Sequence, residues 1–367
     1  MSAPALAAQA PSRRAFVLSD ILSDTGRIFR PSVRRFAPAL TAQFAALEDS
    51  GDIHETCGLI NNASLLFALA GEETFAEDIC RRQMEWLHAC LPRGDAHEIA
   101  SLAIQPWVNL GRLYRMRGEH ARALAQFAQV FDTDGHGLLH YGCFAVRPKD
   151  VRYDDAELLY VVDSLRTYCS ARGYEQGLRF IRRMHTRVQS IASRPRLDEY
   201  EFHLCLRRGF LKAAERVLER MSWHLQPHLK LINAFYRCVL LEAKGNDCSD
   251  VTRRLTQWAI GALSEEAAPD HYVFRYGLEL ARFLLRAGYR GSAALIEAGR
   301  SASARFEDVP IHFEFVRLES GMDAARAVLA DADYTGFARR FGITLKRSSE
   351  ADAALDELRV ALRAVIG

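Results

Sequence analysis

The chain has 367 residues, 49% hydrophobic and 26% charged, and its 48 basic and 46 acidic side chains leave a formal net charge of +2. That composition excludes a chain disordered throughout, and the charge balance gives no large field to draw it to nucleic acid or to an anionic membrane. No stretch approaches the roughly 18–20 unbroken apolar residues that a membrane helix needs.

In chain order, the opening MSAPALAAQAPSRRAF places Arg13 and Arg14 after its small residues, the wrong order for a secretory signal. Residues 1–14 are therefore expected to be a flexible tail of a cytoplasmic protein. Residues 15–54 are read as N-terminal capping helices, with Phe36, Leu40, Phe44 and Leu47 aligned on one side of a helix over 31–49. From 55 to 330 a 3.6-residue periodicity runs nearly everywhere, broken by single glycines and without a convincing run of strand alternation. Insertions are expected at 91–103 and 132–155. Residues 331–367 are read as C-terminal capping helices, with Leu355, Leu358 and Leu362 aligned within 350–365. The eight cysteines, Cys57, Cys80, Cys90, Cys143, Cys169, Cys205, Cys238 and Cys248, form no CxxC and lie singly in apolar stretches. They are expected to be small buried hydrophobes in a reducing compartment.

The most informative segment contains Trp107, Leu110, Gly111 and Tyr114, then Gly118, then Ala123 and Phe127. Trp107, Leu110 and Tyr114 share one helical stripe, and Gly111 and Ala123 are small enough to let two antiparallel helices approach closely. Gly118 suits the turn between them, where a left-handed backbone costs glycine little. Phe127 is expected to fill the space between this hairpin and the next. The spacing W-x2-L-G-x2-Y, a turn glycine and then A-x3-F resembles the tetratricopeptide repeat.

The same frame recurs around Gly71, Gly118, Gly173, Gly209, Gly245 and Gly288, with a weaker copy at Gly321; the spacings are 47, 55, 36, 36, 43 and 33 residues. Gly135 stands where the family usually has proline, and Asp250 stands where a small residue is usual. The resemblance covers about 55–330. It implies an all-α fold, an α-α superhelix of about six to seven helical hairpins with terminal capping helices that cover its apolar ends.

In that family the ligand-facing positions lie thirteen, ten, nine, six and three residues before the turn glycine. Carried over, they place Asn61 and Asn62 in the first copy, and Gln105, Asn109, Arg112 and Arg115 in the second. The third gives Tyr160, Asp163, Ser164 and Thr167, and later copies give Arg196, Tyr200, His203, Tyr236, Arg275, Glu279 and Arg282. Asparagine offers a donor and an acceptor to an extended peptide. Arg112 and Arg115 offer a fork for a carboxylate.

The resemblance thus implies a protein- or peptide-binding scaffold, an adaptor or regulator, with no cofactor. The alternative is an enzyme, or an obligate enzyme subunit, with a metal-dependent site near 132–155, where Asp132, Asp134, His136, His140 and Cys143 cluster. No CxxC or HExxH strengthens that alternative. Glu85 and His88 form a single ExxH without the second one that a di-iron bundle needs, and Asp154 and Asp155 suit a helix start. There is no GxGxxG, GxxxxGK[ST] or GxSxG. Most of the pairs Arg81–Arg82, Arg182–Arg183, Arg207–Arg208 and Arg253–Arg254 fall on second helices or turns, so they read as solvated faces, not as a nucleic-acid stripe. A homodimer formed through the terminal helices is a third reading.

Overall fold

The computed structural model describes residues 33–47, 52–221, 227–266, 271–306, 309–328 and 349–366. The expected tail 1–14, most of the N-terminal capping region and residues 331–348 lie outside them. Fifteen α-helices account for nearly all of the described chain, so the fold is all-α.

Helix α1 spans Val33–Leu47 and precedes a series of hairpins. These are α2 (Ile53–Leu69) with α3 (Glu73–Cys90), α4 (Ala96–Met116) with α5 (His120–Ala128), and α6 (Tyr153–Ser170) with α7 (Tyr174–His185). There follow α8 (Ser193–Arg207) with α9 (Leu211–Met221), α10 (Pro227–Ala243) with α11 (Ser249–Ser264), and α12 (His271–Ala287) with α13 (Ser292–Arg305). Helix α14, Val309–Val328, is broken at Gly321, where φ is 85° and ψ −177°. Helix α15 is Ser349–Ile366. Each hairpin packs on the next, and first helices also touch first helices: α2 meets α4, α4 meets α6, α6 meets α8, α10 meets α12 and α12 meets α14. This contact pattern is that of a stack of hairpins in which each unit buries its neighbour's apolar face.

The hairpin turns repeat one hydrogen-bond pattern. The N–H just after the turn residue donates to the carbonyl five residues back in Glu72→Phe67, Glu119→Tyr114, Gly173→Tyr168, Phe210→Cys205, Asn246→Leu241 and Tyr289→Leu284, at 2.8–3.0 Å. That bond closes a helix on a left-handed residue. Gly71, Gly118, Gly209, Gly245 and Gly288 supply it with φ between 71° and 88°. In the α6–α7 turn the left-handed residue is Arg172, with φ of 54°, while Gly173 has φ of −81°. The repeat frame of that hairpin therefore begins one residue earlier than the glycine suggests.

Gly111 on α4 serves close approach. A Cβ there would lie 2.3 Å from the ring of Phe127 on α5, which is fully buried. Phe127 thus packs within its own hairpin, over Gly111, where the sequence pattern placed it between hairpins.

The two expected insertions have structure. Residues 91–93 form a 3-10 turn, and the remainder of 91–103 is largely the start of α4, which runs back to Ala96 with Asp95 accepting the His97 N–H at 2.9 Å. Within 132–155 a small antiparallel hairpin pairs β1, Leu139–Tyr141, with β2, Phe144–Val146. Three-residue strands are too short to show an alternating pattern. The hairpin is anchored by buried Tyr141, whose hydroxyl donates to the Ala100 carbonyl at 3.0 Å, and by Cys143, whose thiol donates to the Met84 carbonyl at 3.4 Å.

Helix α15 does not stay with the last hairpin. It packs on α1, with further contacts to α2 and α3. Leu355, Leu358 and Leu362 are buried there, and Arg359 pairs with Glu72 at 2.6 Å while its guanidinium lies over Phe67 and Phe75. Both terminal helices therefore cover the same end of the stack.

Candidate functional site

The first helices of successive hairpins are joined by side-chain hydrogen bonds that form a polar seam. Asn109 on α4 donates to Asn61 on α2 at 3.3 Å and accepts from Gln105 at 3.0 Å and from Arg112 at 3.1 Å. Arg112 then reaches α6, donating to both oxygens of Asp163 at 2.8–3.1 Å, and Arg115 joins it at 2.9 Å. Arg166 lies 4.0 Å from the same carboxylate and donates to Tyr200 on α8 at 3.1 Å.

The seam continues along the chain. On α8, Glu199 accepts from Arg196 at 3.0 Å, and it accepts from Tyr236 of α10 at 2.9 Å and Tyr276 of α12 at 3.4 Å. His203 shares a 3.0 Å hydrogen bond with Tyr236. Arg282 of α12 pairs with Glu279 at 2.6 Å and with Glu314 of α14 at 2.5 Å. Tyr276 reaches α8 past the intervening α10. The sequence singled out Asn61, Asn62, Asn109, Arg112, Arg115, Asp163, His203, Glu279 and Arg282, and all lie on these first helices. Arg275 is on α12, but its side chain lies outside the described residues.

Three of the sequence-derived positions lie on the first helix α6 but point away from the seam. Tyr160, Ser164 and Thr167 are buried in the body of the α6–α7 hairpin. The Tyr160 ring stacks on Phe131 at 4.7 Å, and Thr167 donates to the Asp163 carbonyl at 2.7 Å. Counted from Arg172, the ligand-facing positions become Leu159, Val162, Asp163, Arg166 and Cys169. All but Asp163 are partly exposed. Asp163 then takes the same place as Asn62 and Asn109, and Arg166 the place of Arg112. Sequence reasoning missed Arg166 because the turn was assigned to the glycine; the left-handed arginine leaves no sequence signal.

Asp163 is fully buried, and Arg112, Arg115 and Arg166 are only 11%, 9% and 11% exposed. Burial alone would push the carboxyl of Asp163 up. The charges of Arg112, Arg115 and Arg166 and the Arg112 hydrogen bonds overcome it and hold the carboxyl down at about 2. A buried carboxylate of this kind orders three guanidiniums in fixed geometry. The asparagines and arginines expected to face a ligand are thus largely bonded to one another, and the more exposed contacts along the seam are Gln105, Arg196, Tyr200, His203, Glu279 and Arg282.

The loop residues proposed for a metal do not converge. His140 Nε2 contacts Asp134 at 2.8 Å, and both are solvent-accessible. Asp134 also accepts the His136 and Leu138 N–H groups, which with His140 hold its carboxyl down at about 2. His136 is exposed and Cys143 is turned toward Met84. Among the described residues the one group of three metal-type ligands is His185, Asp198 and Glu201. Several members of the basic pairs are engaged locally: Arg81 with Glu77, Arg82 with Asp78, Arg208 with Glu175 and Arg253 with Asp250, at 2.5–3.1 Å. No helix is long and apolar enough to cross a membrane, among the described residues.

No protein-family model matches the chain, and no curated protein or solved structure matches it either.

Proposed function

We propose that the chain is a tetratricopeptide-like scaffold that binds a protein or peptide segment along the inner stripe of its first helices, as a cytoplasmic adaptor or regulator. The observation that carries this reading is the seam itself: polar side chains recur in the same frame on consecutive first helices and are bonded from each helix to a neighbouring one. Such a network fixes the side chains before a ligand arrives, which lowers the ordering cost of binding. Gln105, Tyr200, His203 and Arg282 present hydrogen-bonding groups at its solvent side, where an extended or helical segment would lie.

The test is co-purification with the tagged full-length protein, repeated with Gln105→Ala, Tyr200→Ala and Arg282→Ala combined. These side chains are partly exposed, and far-UV circular dichroism and a thermal melt of the triple variant check that the fold is retained. A stoichiometric partner lost in the triple variant supports the reading. A partner retained at unchanged affinity, with far-UV circular dichroism also unchanged, removes the inner stripe as the binding face.

A further inference from the structure

We propose that His185, Asp198 and Glu201 form a binding site for a zinc-class divalent cation, with Arg220 as its displaceable internal counter-ion. The three ligands come from two helices. His185 ends α7, and Asp198 and Glu201 lie three residues apart on α8, so both carboxylates share one face. The His185 Nε2 atom is 3.1 Å from a Glu201 oxygen and 3.8 Å from an Asp198 oxygen, and the three donor atoms lie within 4.8 Å of one another. A tetrahedral zinc ion with bonds of about 2.0–2.2 Å separates its ligands by about 3.4 Å. Small side-chain rotations therefore bring this set to a metal, and imidazole with two carboxylates is a donor set that such ions accept.

Arg220 on α9 marks where the cation belongs. Its Nη2 is 2.6 Å from an oxygen of each carboxylate, so a positive group already sits between them. The arginine side chain is 48% exposed while Asp198 is 8% exposed. The guanidinium therefore approaches from solvent and can swing back into it, whereas the carboxylate is held by the fold. Arg220 contacts only the two carboxylates, whereas a divalent ion would also bond the His185 imidazole, a third ligand that the guanidinium cannot use. The metal would join α7 to α8 across two hairpins, in place of the Arg220 contact from α9, and leave its remaining position open to water. This site is separate from the loop at 132–155 and from the inner seam.

The experiment titrates zinc chloride calorimetrically into the full-length, chelator-treated protein, and cobalt chloride with optical detection. Expected are one zinc per chain, at least about tenfold tighter binding in Arg220→Ala and at least about tenfold weaker binding in His185→Ala. Cysteine-free ligation predicts visible cobalt bands without a thiolate charge-transfer band, and unchanged affinity in Cys143→Ser, which removes the exposed thiol. Zinc uptake unaffected by His185→Ala, or a thiolate band, overturns the proposal. The cobalt titration of the wild-type chain needs no substitution, so absence of any intensified visible band above that of aqueous cobalt at millimolar concentration overturns it even if a variant fails to fold.

Discussion

Replacing Asp163 by asparagine keeps the shape of the side chain and removes the charge on which Arg112, Arg115 and Arg166 converge. Breaking a buried ion pair by removing one partner costs about 3–5 kcal/mol, because the remaining charge stays desolvated. Linkage gives an independent magnitude. The carboxyl is held at about 2 against an ordinary 3.8, and a shift of that size corresponds to about 2–3 kcal/mol at neutral pH. The folded-state value is the lower one. This contribution is therefore fully present above pH ~4 and is lost as pH falls through about 2. Urea unfolding followed by circular dichroism, at pH 7 and at steps down to pH 2, measures both. The variant should be about 3 kcal/mol less stable at pH 7, and the gap should narrow only below pH ~4. A variant as stable as wild type at neutral pH, or a gap that does not change down to pH 2, would refute the argument.

Four further outcomes follow from packing and backbone geometry. Gly111→Ala should destabilise by about 1–3 kcal/mol, because its Cβ would lie 2.3 Å from the buried Phe127 ring. Gly58→Ala, on the same kind of helix but with nothing within 4 Å of its Cβ, should stabilise by about 0.5–1 kcal/mol; thermal melts of the two should shift in opposite directions. Arg172→Gly should stabilise by up to about 1 kcal/mol in urea unfolding, since the arginine occupies a left-handed conformation with φ of 54°. Leu358→Asp places a charge at a fully buried position of α15; it should release that helix from α1 and expose 349–366 to limited proteolysis while α4 to α9 stay protected.

The turn glycines were legible because a helix closed by a left-handed residue favours glycine, and Gly71, Gly118, Gly209, Gly245 and Gly288 each take that role. Gly173 was misleading for the same reason. A glycine adjacent to the true turn residue looks identical in sequence, and an arginine in the left-handed region is sterically costly enough that no pattern would place it there. The shift of one residue turned Tyr160, Ser164 and Thr167 into interior side chains and left Arg166 unnoticed. The pairing of Arg112 with Asp163 spans 51 residues, a separation over which periodicity carries no information. For α15, the alignment of Leu355, Leu358 and Leu362 predicts a buried face but not what buries it. Its place on α1 at the opposite end of the stack is a tertiary fact. The zinc-type ligands were equally hidden, since His185 and the pair Asp198 and Glu201 belong to different helices.

The most direct test of a ligand-binding inner face is hydrogen–deuterium exchange on the full chain with and without the co-purified partner. The account predicts added protection in α4, α6, α8 and α12, the first helices that carry Gln105, Arg166, Tyr200 and Arg282, with little change in the second helices α5, α7, α9 and α13. Protection concentrated on the second helices, or on α1 and α15, would contradict it.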